Sequence, residues 1–147
     1  RQRQRQREGE RGADRRLPGG DLFFLGRFGT PLPAGACGPY VSLLEMVRLA
    51  PSASNKQPWR IVKDGPAWHF YLRRTPKYGP GSLAFDVLKL ADLQRVDMGI
   101  AMCHFELTAR ELGLAGRWVG MNPGLEIPDE RTEYVVSWVE SDKIGYN

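Results

Sequence analysis

The chain has 147 residues, 41% hydrophobic and 26% charged, with a net charge of +4. That length suits one domain with a real core and falls short of two; the ordinary apolar content excludes a wholly disordered chain, and no apolar run approaches the ~20 residues of a spanning helix. The positive charge sits at the start: residues 1–16 carry seven Arg against Glu8, Glu10 and Asp14, which leaves 14 basic and 14 acidic residues in a balanced remainder.

The balanced body gives no charge argument for a nucleic-acid surface, and neither nucleic acid nor membrane is expected as a partner. Residues 1–20, rich in Arg, Gln and Gly, read as a disordered tail ahead of a domain over 21–147. The Arg-Gln repeat could grip RNA or DNA as an arm; a solvated tail is the weightier reading. The start is charged and no apolar leader segment follows it. The first Met is Met46, so a fragment or processed piece is expected. Cys37 and Cys103 are too few for a disulfide framework or a metal site. Cys103 reads as a small buried hydrophobe, which fits a reducing cytoplasm.

Apolar material starts at Leu22-Phe23-Phe24-Leu25. Gly35–Pro39 reads as a loop and Tyr40–Leu49 as a helix, with Val41, Leu44 and Val47 at helical spacing. Pro51 stops it, because the residue before a proline is pushed out of the helical region. Trp59–Lys63 and Trp68–Arg73 read as strands joined by the turn Asp64-Gly65-Pro66. In the second strand Trp68, Phe70 and Leu72 alternate with His69, Tyr71 and Arg73, the period of a half-buried strand, which leaves His69 on the surface. Residues 75–85 lack periodicity and read as a surface loop.

Asp92–Leu112 gives the strongest helical pattern, with Asp92 as its cap and Gly113 as its end. One apolar stripe holds Val96, Ile100, Cys103 and Leu107; another holds Met98, Met102, Phe105, Ala109 and Leu112. A helix apolar over so much of its circumference needs cover on two sides, the sheet on one and a partner subunit on the other. His104, inside it, reads as a satisfied core or interface histidine. Arg117–Gly120 and Tyr134–Val139 read as further strands, the second inside the sheet. The whole predicts an α+β fold, a mostly antiparallel sheet flanked by helices.

Between the first helix and the first hairpin strand lies Pro51-Ser-Ala-Ser-Asn-Lys-Gln-Pro-Trp59. Asn55 and Gln57 each carry a donor and an acceptor, which suits the alternating edge of a flat ring such as a flavin. Lys56 could place positive charge near the N1/O2 side of that ring. On composition alone, a turn whose Ser and Asn satisfy the local backbone is the favoured alternative.

Arg48-Leu-Ala-Pro-Ser-Ala-Ser-Asn-Lys-Gln-Pro-Trp-Arg60 resembles the signature of the nitroreductase family of flavin enzymes almost position for position. Val96-Asp-Met-Gly-Ile-Ala-Met-Cys-His104 is similar to its long central helix, and Glu111-Leu-Gly-Leu-Ala-Gly-Arg-Trp118 to its Gly-Leu-Gly end and following strand. The details look closest to the branch called putative TM nitroreductases, a label that does not denote a membrane segment. The resemblance runs over roughly residues 22–140 and mainly covers that branch's C-terminal part. It implies a nitroreductase-like fold, FMN at a homodimer interface, and hydride passing from NAD(P)H to a nitroaromatic, quinone or similar small acceptor. By position, Ser52, Asn55 and Gln57 would contact the isoalloxazine, with Trp118, Val119 and Gly120 near flavin N5. No catalytic side chain and no metal are implied, since the flavin carries the chemistry. The family's Arg-Arg-Ser-x-Arg grip on the FMN phosphate has no counterpart at the right distance, and Arg73-Arg74 read as a solvated strand end. The alternative is a non-catalytic flavin- or nucleotide-binding module, or a dimerisation module, of a degenerate nitroreductase.

Overall fold

The computed structural model describes residues 15–76 and 92–142. Five strands form one sheet: β1 Phe23–Leu25, β2 Trp59–Asp64, β3 Ala67–Arg73, β4 Gly116–Val119 and β5 Thr132–Glu140, in the order β1-β2-β3-β5-β4. β1 runs parallel to β2, and every other pairing is antiparallel. Among the described residues three α-helices accompany it: the single turn α1 Gly19–Leu22, α2 Val41–Leu49 and α3 Leu93–Glu111. The fold is α+β, as the sequence pattern predicts.

The hairpin forms where the turn residues place it. Gly65 takes φ +55, which a two-residue reversal needs, and Asp64 pairs with Ala67 across it. β5 lies between β3 and β4, in the sheet interior. A β-bulge shifts the β3–β5 register between Phe70 and Tyr71. The shift lets the neighbours Val135 and Val136 both pack against the core.

α2 and α3 cover one face of the sheet. Phe105 of α3 lies at the centre, with ring centroids 5.1 Å from Phe70, 5.6 Å from Trp138, 5.9 Å from Trp118 and 6.1 Å from Trp68. The pairings Trp68↔Trp138 and Trp118↔Trp138 set those indoles in one row across three strands. Gly116 is required there: a Cβ on it would lie 2.3 Å from the Trp138 ring.

α3 starts and stops on its own sequence signals. The Asp92 carboxylate accepts from Arg95 N at its start. At its end Leu114 N donates to Ala109 O and Gly113 N to Arg110 O, the Schellman pattern that the positive φ of Gly113 permits. Its buried face is Gln94, Asp97, Met98, Ala101, Phe105 and Ala109. The other expected stripe faces outward: Val96 is 53% and Leu107 56% exposed. Cys103 is exposed as well, which corrects its reading as a buried hydrophobe, because it shares the phase of Val96 and Leu107. In α2 the buried set is Leu43, Leu44 and Val47, and Val41 points outward.

The far face of the sheet is also covered, so β3 is buried on both sides. Phe28 packs edge-on against Tyr71 at 4.9 Å, and Pro128, beyond β4, shares clefts with Phe28 and Gly29. His69 is therefore 7% exposed and not the surface residue that a half-buried strand implies. Its Nδ1 lies 2.6 Å from Ser137 Oγ, which lies 2.6 Å from Tyr134 Oη, which lies 3.2 Å from Val119 O. When the Tyr134 proton goes to Val119, Ser137 donates to Tyr134 and His69 Nδ1–H donates to Ser137; when it goes to Ser137, the Ser137 hydroxyl donates to His69 Nδ1 instead.

The 1–20 segment is described from Arg15 onward. Residues 15–20 are docked rather than unstructured: α1 begins at Gly19, and Leu17 packs against the core. The repeat itself lies outside the described residues, as does the expected 75–85 loop beyond Pro76.

Candidate functional site

The turn between α2 and β2 has an unusual backbone. Ala50 leaves the helix at ψ 145, ahead of Pro51 as expected. Ser54, Asn55 and Gln57 then adopt φ values of 50, 52 and 47. Left-handed conformation costs an L-residue roughly 1–2 kcal/mol, somewhat less for Asn. Three such residues within four positions persist only where the surroundings over-determine them, and such clusters favour functional sites.

The over-determination can be named. Ser52 Oγ accepts from Gln57 N at 2.9 Å. Asn55 N donates to Ser52 O and Lys56 N to Ala53 O. From α3, both Asp97 oxygens accept from Ala53 N, at 3.0 and 3.1 Å. Asp97 is 2% exposed. Burial holds its carboxyl above the ordinary range, opposed by the Ala53 N–H. Sequence reading passes over Asp97, although a lone carboxylate in phase with Met98, Ala101 and Phe105 was the available signal. Gln94 is a second such residue: its amide donates to Thr75 Oγ1 at 2.9 Å and accepts from Thr75 N.

The two signature amides meet this chain's own backbone. Leu17 N donates to Gln57 Oε1 at 2.7 Å, and Arg15 O accepts from Asn55 Nδ2 at 2.6 Å and Gln57 Nε2 at 3.3 Å. The Arg16 guanidinium donates to Asn55 Oδ1 and to Leu49 O. Arg48, held by Glu45 at 2.6 Å, donates to Leu17 O. A peptide N–H and C=O thus fill the donor–acceptor pattern that suits a ring edge. Gln57 is 3% exposed, whereas Lys56 is fully on the surface side of the turn.

Ser52, Asn55 and Gln57 therefore converge. Trp118, Val119 and Gly120 do not join them within one chain. They lie at β4, the opposite edge of the sheet, three strand spacings or about 14 Å from β2. Trp118 packs in the aromatic core 5.1 Å from Trp138 and 5.2 Å from Phe70. Val119 supplies its carbonyl to Tyr134, and Gly120 is exposed. Arg74 is engaged by Asp92 at 2.7 Å and Glu133 at 3.2 Å, and Arg73 by Asp129 at 3.3 Å. His104 is half-buried on α3. Among the described residues, no cluster of His, Cys, Asp and Glu suits a metal, and no helix is long and apolar enough to cross a membrane.

Residues 39–109 match the sequence model of a family described as "Putative TM nitroreductase". No curated protein matches the chain. A crystal structure of a putative nitroreductase from Thermotoga maritima MSB8 is similar at 25% identity and a TM-score of 0.47, over 85% of this chain and 42% of that one. The chain thus spans less than half the length of that protein. The matched segment runs from the end of the Gly35–Pro39 loop, through the strained turn, to Ala109 near the end of α3.

Proposed function

We propose that this chain is part of an FMN-dependent oxidoreductase that passes hydride from NAD(P)H to a nitroaromatic, quinone or similar small acceptor, and that it works as a homodimer. The observation that carries the reading is the strained turn at Ser54, Asn55 and Gln57, clamped by Asp97 and lying inside the matched family segment. Bound FMN would supply the hydride chemistry. The protein's part is to bind and orient it. Ser52, Asn55 and Gln57 would hold the isoalloxazine edge, and Lys56 would bring positive charge to one side. The donor set fits such an edge on one condition: Arg15–Leu17, which now occupies the amides, must lift away.

The other half of the site, Trp118–Gly120, is too far from this turn to serve the same ring. A second copy could bring its own Trp118–Gly120 alongside. The outward stripe of Val96, Cys103 and Leu107 on α3 is the apolar face that such a dimer would cover.

A second reading has its own support. The engagement of Asn55 and Gln57 by Arg15–Leu17 favours a degenerate, non-catalytic module whose turn is satisfied internally.

One experiment separates the two. The full chain is titrated with FMN by flavin fluorescence, then assayed for NADH and NADPH oxidation with a quinone. Saturable flavin binding with acceptor-dependent turnover, and a dimer by light scattering, is the expected result. Binding without turnover supports the non-catalytic module, and no flavin retention with either nucleotide present sinks the oxidoreductase reading.

A further inference from the structure

On the sheet face opposite α2 and α3, Arg60 of β2 and Arg73 of β3 line a cleft of about 510 Å³. The hairpin register pairs Arg60 with Tyr71, so Arg73, two residues further on, is its diagonal neighbour on the same face. Phe24, Phe28 and Pro128 supply apolar walls, and Asp21 contributes one carboxylate. Both guanidiniums are fixed to strands, the rigid part of the fold.

Like charges at such positions repel, and each must find compensation. Arg60 does so poorly. Its Nη1 donates to Gln57 O at 2.8 Å and Trp59 O at 2.7 Å. Among the described residues, its Nε and Nη2 have no hydrogen-bond partner. Among the described residues the Arg73 side chain meets only the Asp129 carboxylate, at 3.3 Å, which also faces Arg131 at 3.7 Å. Burial and then the Arg73 charge push the Arg60 guanidinium down to about 10, with Asp21 opposing.

We infer that this cleft binds a small aromatic monocarboxylate, its carboxylate between Arg60 and Arg73 and its ring against Phe24 and Phe28. The volume falls within the range of small-molecule pockets. Two lining guanidiniums against the one lining carboxylate, Asp21, leave a single net positive charge, which suits a monoanion. A planar carboxylate matches the unused fork of Arg60. The Phe24 and Phe28 rings, 5.4 Å apart and tilted by 49°, offer apolar faces and edges to a flat ring. The inference does not rest on the flavin reading, because its two guanidiniums lie on the other face of the sheet; the sites adjoin at Leu17, which borders the cleft and belongs to the segment that must lift for FMN to bind.

The test is an NMR titration of the full chain with benzoate, alongside benzyl alcohol, acetate and phenyl phosphate. Benzoate should shift the backbone amides of Phe28, Gly29, Arg60 and Arg73 saturably. Benzyl alcohol, with the ring but no charge, and acetate, with the charge but no ring, should each bind at least about tenfold more weakly. Arg60→Gln should weaken benzoate by about tenfold or more, and Arg60→Lys by less. The inference is overturned by the absence of a saturable shift at those residues, by equal binding of benzyl alcohol, or by an Arg60→Gln protein that binds as before. Tighter binding of phenyl phosphate overturns the monocarboxylate assignment. Should Arg60→Gln fail to fold, the wild-type comparison of benzoate with benzyl alcohol decides.

Discussion

Asp97→Ala removes the side-chain clamp that α3 places on the strained turn. Both carboxylate oxygens accept from Ala53 N in the intact protein. A buried N–H left without a partner costs roughly 1–3 kcal/mol; Ala53 is half-buried but its acceptor is a buried carboxylate, so the middle of that range applies, about 2 kcal/mol. The turn stores strain of about 3 kcal/mol at Ser54, Asn55 and Gln57, which the clamp and Ser52 together must offset. Asp97→Asn keeps one acceptor oxygen and should cost about half as much. The assay is urea unfolding at neutral pH, joined to native-state hydrogen exchange of the Ala53, Asn55 and Lys56 amides. A loss of 2 kcal/mol speeds exchange through local opening by about 30-fold. Acidity supplies a second readout. Burial raises the Asp97 carboxyl above the ordinary carboxylate range, so the folded protein keeps this proton to higher pH than the unfolded chain. The contribution is fully present below the ordinary carboxylate value and is lost as pH rises through the raised one. The stability of wild type relative to Asp97→Asn should therefore grow on acidification. An Asp97→Ala protein within about 0.5 kcal/mol of wild type, with unchanged exchange at the turn, would refute the clamp.

Two further outcomes follow from buried polar groups on the other face. Burial lowers the His69 imidazole, with Asp64 opposing, so its contribution is present above the ordinary histidine value and is lost as pH falls through the lowered one. His69→Gln should flatten the loss of stability between neutral pH and about pH 5, measured by unfolding at several pH values; an unchanged slope would count against it. Tyr71 Oη is buried with no hydrogen-bond partner among the described residues, and burial pushes it up to about 12. Tyr71→Phe should then raise stability by about 1 kcal/mol, and a measured loss would show that the hydroxyl is satisfied after all.

Local signals proved readable where they act locally. Pro51 ends α2, Gly65 turns the hairpin, and Asp92 and Gly113 bound α3, because each acts within one turn of its own position. The same holds for the alternation that marks β3 and for the place of β5 inside the sheet. The signature turn was also legible, as a polar segment poised between helix and strand.

What the sequence leaves open depends on groups far apart along the chain. Alternation in β3 put His69 outside; cover on the far face, including Phe28 against Tyr71, put it inside. Helical spacing marked two apolar stripes on α3, but only contact with the sheet selects the one holding Met98 and Phe105 and leaves Val96, Cys103 and Leu107 outward. Asn55 and Gln57 declare by type that they hydrogen-bond in pairs. That their partners are Arg15 and Leu17, some forty residues upstream, is settled by where the chain docks. Residue type fixes what a group can donate, accept or bury; which partner it meets is decided by the packing of distant segments, and the strained turn takes its shape from both.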